Sequence, residues 1–345
     1  MSRPPAPGSG AAPDTAVIEV AATGGPDVLR PARRPRPVPG PTEVLVRVHA
    51  AGVNPVDWKT RRGDGVAGVL GPLPWVLGWD VSGVVEELGA GVTRFAVGDR
   101  VLGMPRFPAQ AGGYAEWITA PSRQLARVPD GLDHVHAAAL PLAGLTAWQA
   151  LVETADVRPG QRVLVHAAGG GVGHLAVQLA RLRGARVIAT ASAAKHPRLR
   201  ELGAHDLVDR TTVAFERVVA PVDVVLDLVG GDCAHRSLEV LRPGGVLLEI
   251  PSGADLPAPD VLAARGVRAL SPLVEPDAGG LEHLVALVDR GDLVVDVART
   301  APLSSVADLH RLGERGRTAG KLVAVVVDGD GDGAQSSSAG VALRT

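Results

Sequence analysis

"RVLVHAAGGGVGHLAVQLAR" (162–181) sets a short β-branched run, a glycine cluster and an amphipathic stretch end to end. A strand that turns sharply into a helix offers unpaired helix amides at the turn, and small residues let an anion approach them closely. Gly170, Gly171, Val172 and Gly173 form that turn, with Gly170 and Gly173 keeping the second half of a G-x-G-x-x-G spacing. Ala168 stands where the first glycine of that pattern falls, so the strict match fails. Taken alone, the cluster is compatible with an ordinary tight turn. The strand–turn–helix context makes a dinucleotide pyrophosphate the expected occupant.

Beyond this turn, apolar strands alternate with amphipathic helices through ARVIATA (185–191), KHPRLRELGA (195–204), HDLVDR (205–210), VDVVLDLVGG (222–231), CAHRSLEVLRPG (233–244), GVLLEIPS (245–252) and LEHLVALVDRG (281–291). Strands joined by crossover helices build a parallel sheet covered on both faces. Residues 133–291 are therefore predicted to form a Rossmann-type, doubly wound α/β domain. Upstream, EVLVRVHAAGV (43–53), DVSGVVEELGAGV (80–92) and GDRVLGM (98–104) are short apolar runs broken by glycine turns, which predict a β-rich domain over 15–132. The pattern after Asp292 returns to a strand, a short helix and a terminal strand, so 292–328 is assigned back to the first domain. Segments 1–14 and 329–345, rich in Gly, Pro, Ser and Ala, are expected to be disordered tails.

The 345 residues suit two domains with ordinary cores, and a formal charge of −2 leaves no electrostatic footprint for nucleic acid or an anionic membrane. A small-molecule partner is expected. No apolar run of membrane-spanning length occurs and the first residues lack a leader's apolar segment, giving a cytoplasmic reading. A single cysteine, Cys233, excludes an internal disulfide and a cysteine-rich zinc site, and single histidines such as His49, His166 and His174 read as structural. No metal is expected.

The end of the strand after the glycine turn decides between the two nicotinamide dinucleotides, because an acid there would accept hydrogen bonds from the adenine ribose diol of NAD(H). The segment ATASAAKHPR has none. Ser192 and Lys195 instead offer a donor and a cation to a 2′-phosphate, with Arg210 ending the following strand. NADPH is the expected cofactor. Gly230, after VVLDLV, and Ile250 to Ser252 lie at carboxyl ends of parallel strands, where such folds bind ligands.

GVNPVDWK (52–59), GWDVSGVVEELGAGVTRFAVGDRV (78–101), GGYAEW (112–117), LPLAGLTAWQAL (140–151), HAAGGGVGHLAVQLAR (166–181) and LGAHDLVD (202–209), in this order, resemble the medium-chain dehydrogenase/reductase superfamily. The zinc-free quinone oxidoreductase and enoyl reductase branch looks most similar. The resemblance implies a GroES-like catalytic domain made from both chain ends, a Rossmann domain inserted between them, and a homodimer. Zinc alcohol dehydrogenases of the superfamily carry Gly-His-Glu where this chain has Gly78-Trp79-Asp80.

By the same resemblance, Asn54 and Lys59 fall at the nicotinamide end of the cleft, and Thr146 lies beside the nicotinamide or its ribose. Lys59 is one of only three lysines in an arginine-rich chain, the others being Lys195 and Lys321. A lysine placed there suits hydride attack on an α,β-unsaturated carbonyl, where negative charge develops on oxygen. The alternatives are a KTRR loop that faces solvent or binds the cofactor phosphates. Lys321, in a GK before the final strand, reads as structural at the domain junction. Trp58, Trp75, Trp79 and Met104 are candidate pocket-lining residues, of which Trp58 and Trp75 equally suit an ordinary core. The leading expectation is a zinc-independent NADPH-dependent reductase of an activated C=C bond or a quinone. A carbonyl reductase and a non-catalytic NADPH-binding protein are the alternatives.

Overall fold

A computed structural model of the chain describes residues 14–250 and 256–327. Ser252 and the two expected tails lie outside these residues, except Asp14, which opens the first strand by pairing with Pro35.

The parallel sheet contains six strands, numbered here β1 (Arg162–Val165), β2 (Arg186–Ala191), β3 (Asp206–Asp209), β4 (Val222–Asp227), β5 (Leu241–Glu249) and β6 (Arg268–Leu270). They lie in the order β3-β2-β1-β4-β5-β6, the arrangement of dinucleotide-binding folds, with the reversal of strand order between β1 and β4. Alternate residues feed cores on opposite faces. Val163 and Val165 belong to the larger apolar core, while Leu164, Ile188, Val225 and Leu247 belong to the smaller one. Both faces are thus buried, as the uninterrupted apolar runs require.

The second lobe is built on the long strand Glu43–Val53, which pairs antiparallel with Asp80–Leu88, Trp117–Pro121 and Lys321–Val325. Val297–Pro302 runs parallel to Lys321–Val325, so strands from both ends of the chain share one sheet. Gly52 on the long strand has no room for a side chain. A Cβ there would lie 2.5 Å from the Ala138 carbonyl oxygen and 2.7 Å from the Asp80 carboxylate. This close approach brings the Asn54 loop onto Asp80.

Between the lobes, the helical stretch predicted from Asp133 onward is broken. Asp133 caps the helix His134–Ala139 by accepting the His136 amide at 2.8 Å. Pro141 then starts a second helix, Pro141–Trp148, because it lacks the N–H that continuation would need. The next amide, Leu142 N, is left seeking an acceptor outside the helix, and Asp80 Oδ1 supplies it at 2.6 Å.

Candidate functional site

The glycine turn opens at the carboxyl end of β1, beside the point where strand order reverses. Ala167 adopts φ +48° to make the turn, and the Gly170 amide donates back to its carbonyl at 2.9 Å. The following helix, Gly173–Leu182, packs against the turn so tightly that a Cβ on Gly173 would lie 2.6 Å from Ala167 O and Ala168 O. Ala168 is fully buried, so the methyl group replacing the usual first glycine points into the protein. Gly171 faces the stem of Lys321, whose Cδ would lie 3.1 Å from a Cβ at that position.

Lys195 and Arg210 follow β2 and β3 and sit within electrostatic reach of each other. Burial, and then the Arg210 charge, hold the Lys195 ammonium below the usual lysine pKa. Its Nζ folds back over the turn to donate to Gly169 O at 3.3 Å and Thr318 O at 2.5 Å. Both carbonyls are neutral acceptors that a more strongly attracting phosphate would displace. Ser192 precedes the short helix Ala193–Lys195, and its carbonyl accepts the Lys195 amide at 2.9 Å. Two mutually repelling cations, with no acid at the end of β2, thus stand beside the glycine turn.

On β4, Asp227 Oδ1 accepts the amides of Val229 and Gly230 at 2.8 and 3.1 Å, which shapes the turn in which Gly230 takes φ +81°. Ile250 N donates to Asp227 O at 2.9 Å, so these two strand ends are held together. The Cys233 thiol is pushed well above its ordinary pKa, first by burial and then by the Asp227 charge, which makes it inert. His166 is held between the Thr190 and Ser237 hydroxyls at 2.9 and 3.1 Å. His174 bridges Gly170 O and the Asp296 amide, both at 3.0 Å.

Asn54 is only 2% exposed and caps the helix Pro55–Arg62. Its backbone amide donates to Asp57 Oδ2 at 2.6 Å, and its Nδ2 donates to Asp80 Oδ2 at 2.8 Å. Lys321 Nζ reaches both Asn54 Oδ1 and, at 3.1 Å, Asp80 Oδ2. Asn54, Asp80 and Lys321 therefore form one buried cluster against the glycine turn. Thr146, one turn along the helix that Asp80 anchors, directs its hydroxyl to Leu142 O at 2.6 Å.

Lys59 lies on the same helix as Asn54 and is half-buried. Burial, followed by repulsion from Arg62, lowers its pKa from the ordinary lysine value, while Asp64 acts in the opposite direction. Of the four candidate pocket-lining residues, Trp75, Trp79 and Met104 are buried in the core. Trp79 Nε1 donates to Ala109 O at 2.8 Å. Trp58 packs edge-on to His310 and closes against Gly313, which joins two helices of the same lobe.

A second network, with no local signal in the sequence, lies behind Asn54. Asp57 also accepts the Gly78 amide at 3.1 Å, and burial, reinforced by Asp80, pushes its pKa up to about 7. Its folded value thus exceeds the unfolded 3.8, so its contribution to stability is full below that pH and is lost as pH rises through about 7. Arg61, buried and able only to donate, meets His310 Nδ1 at 3.2 Å, Glu314 at 2.6 Å and Gly24 O at 3.0 Å. His310 must then carry its proton on Nε2, which faces the Tyr114 oxygen at 3.1 Å. Burial, then Arg61, holds His310 down to about 3.

Tyr114 is the only tyrosine, and burial, then the Asp57 charge, raises its pKa well above 10. The folded value exceeds the unfolded one, so Tyr114 contributes stability that is full below about pH 10 and lost above it. An alkaline titration followed by tyrosinate absorbance should show no ionisation while the protein stays folded. A tyrosinate signal that precedes unfolding would refute the network.

Two family models match the chain, an alcohol dehydrogenase GroES-like domain over residues 40–130 and a zinc-binding dehydrogenase over 202–324. Among the described residues, no three or more His, Cys, Asp or Glu side chains converge as a metal-binding group. The chain is 37% identical over 308 residues to a 2-haloacrylate reductase from Burkholderia sp, covering 83% of this chain and 91% of that protein. A quinone oxidoreductase structure from Coxiella burnetii has a TM-score of 0.86 at 38% identity, covering 91% of this chain and 100% of that one. A mycobacterial protein solved in complex with NADPH has a TM-score of 0.82 at 34% identity, covering 90% and 100%.

The fold and these relatives define an oxidoreductase that uses a nicotinamide cofactor. The chain belongs to the medium-chain dehydrogenase/reductase superfamily, in its quinone oxidoreductase branch.

Proposed function

We propose that the protein is a zinc-independent reductase that uses NADPH to reduce an activated C=C bond, an α,β-unsaturated carbonyl compound or a related acid, or a quinone. The observation that carries this reading is the proximity of the glycine turn to Asn54, with the single side chain of Lys321 touching both. Any dinucleotide laid on the turn then has its reactive end in the lobe that holds Asn54 and Lys59. The name of the Burkholderia relative supports a C=C acceptor, and that of the Coxiella protein a quinone.

Gly170, Gly171, Val172 and Gly173 would hold the pyrophosphate, Lys195, Arg210 and Ser192 the 2′-phosphate, and Thr146, Gly230 and Ile250 the remainder. Bound NADPH supplies a hydride. The chain itself has to orient the acceptor, stabilise the negative charge that forms on its oxygen and provide a proton. Lys59 is the cation of the Asn54 helix with a lowered pKa, so it can serve both as electrostatic donor and as proton source.

A panel of enones, acrylates, quinones and saturated ketones, each assayed by nicotinamide absorbance with NADPH and with NADH, tests the proposal. Turnover of enones or quinones with NADPH preferred is expected. Turnover of saturated ketones alone, or tight NADPH binding without turnover, would refute it. Lys195→Ala with Arg210→Ala should raise the KM for NADPH about 10- to 100-fold, the value of one or two charge-assisted hydrogen bonds, and leave that for NADH nearly unchanged.

A further inference from the structure

Lys321 is 3% exposed, yet it carries an ammonium group into the junction of the two lobes. Its Nζ contacts Asp80 Oδ2 and Asn54 Oδ1, its stem covers Gly171, and its backbone amide donates to Asp296 O at 2.8 Å. An ammonium can only donate, so the atom of Asn54 that faces it must be the oxygen. The nitrogen is thereby directed to Asp80, which takes one of its two N–H groups, and the second remains as a donor. Asp80, which can only accept, holds the Asn54 nitrogen, and Lys321, which can only donate, holds its oxygen, so the two charged groups fix the amide from opposite ends.

We propose that Lys321 is a positioning residue: it locks the Asn54 amide as a hydrogen-bond donor to the oxygen of a carbonyl-containing acceptor, and ties that orientation to the glycine turn. The inference rests on the reductase reading above. It assigns Asn54 a substrate-directed donor role and explains why a lysine is kept in the core. Asp80, through Leu142 N, fixes the helix carrying Thr146 to the same point.

Removing Lys321 alone would strand the Asp80 charge, so the test uses the paired change Asp80→Asn with Lys321→Met, which is neutral and close in volume. This variant should fold, bind NADPH as the native protein does within about twofold, and lose about 100-fold in kcat with an enone, the scale of a misplaced group. Adding Asn54→Ala should then cost no more than about twofold further, because Lys321 acts through Asn54. A folded pair with unchanged kcat, or losses that multiply, would overturn the proposal.

A second measurement needs no variant. Asn54 is the only asparagine in the sequence, so 15N-asparagine labelling reports a single side-chain amide. A wide separation of its two protons, one displaced by the Asp80 carboxylate, is expected, and the shifts of a free amide would overturn the assignment. If the native protein oxidises NADPH with no enone or quinone, the reductase reading fails, whereas the amide orientation is judged by the NMR result.

Discussion

Lys59→Met should lower kcat for an α,β-unsaturated ketone by ~10²–10³, the range found when one donor to a developing oxyanion is removed. The helix that carries Lys59 is fixed at its start by Asp57 on the Asn54 amide and at its end by Gly63, whose amide returns to the Thr60 carbonyl. Neither contact uses the Lys59 side chain, so in a variant that stays folded the loss should appear in kcat. Lys59→Arg separates two roles: a guanidinium keeps the charge but does not give up a proton near neutral pH. Partial recovery by arginine identifies electrostatic stabilisation, and no recovery identifies proton delivery. In the second case kcat should fall as pH rises through the lowered Lys59 pKa, since only the protonated amine can donate. An unchanged kcat in the methionine variant would remove Lys59 from the chemistry.

The parallel sheet was legible because its signals are local. A β-branched run, a glycine turn and an amphipathic helix lie within twenty consecutive residues at 162–181, and the same alternation repeats down to Asp289. Ala168 weakened the pattern only on paper, because its methyl group is accommodated fully buried. The rarity of lysine marked Lys59 and Lys321 alike, and the GK before the final strand suggested a junction role for the latter, but its contact with Asn54, 267 positions away, carried no local signal. Asp57, Arg61, Tyr114, His310 and Glu314 gave no signal at all. Arg61 and Glu314 are 253 positions apart, and their contact arises only because the helix Val306–Glu314 packs beside Pro55–Arg62. Aromatic residues left the choice open for Trp75 and pointed the wrong way for Trp79. Trp75 and Trp79 can line a pocket or fill a core, and composition cannot distinguish these; burial of both indole nitrogens against carbonyls, at Gly71 and Ala109, places them in the core.

Asp80→Asn, made alone, should destabilise the fold by about 3–5 kcal/mol, the cost of leaving one member of a buried ion pair without its partner. The new side chain keeps the size of the old one and can still accept the Leu142 amide, so neither a cavity nor an orphaned helix N–H explains the loss. What remains is the Lys321 ammonium, 3% exposed, facing two amides in place of a carboxylate. Such a variant can shed the charge by releasing a proton when it folds. The unfolded chain then binds more protons than the folded one, and stability must rise with pH. Chemical unfolding at pH 6 and pH 9 should therefore show a deficit that shrinks toward alkaline pH, and the paired Asp80→Asn, Lys321→Met protein should recover most of it at both. A deficit independent of pH, and not relieved by the second substitution, would mean that Asp80 stabilises the junction through its hydrogen bonds alone and that Lys321 is not charged in the native core.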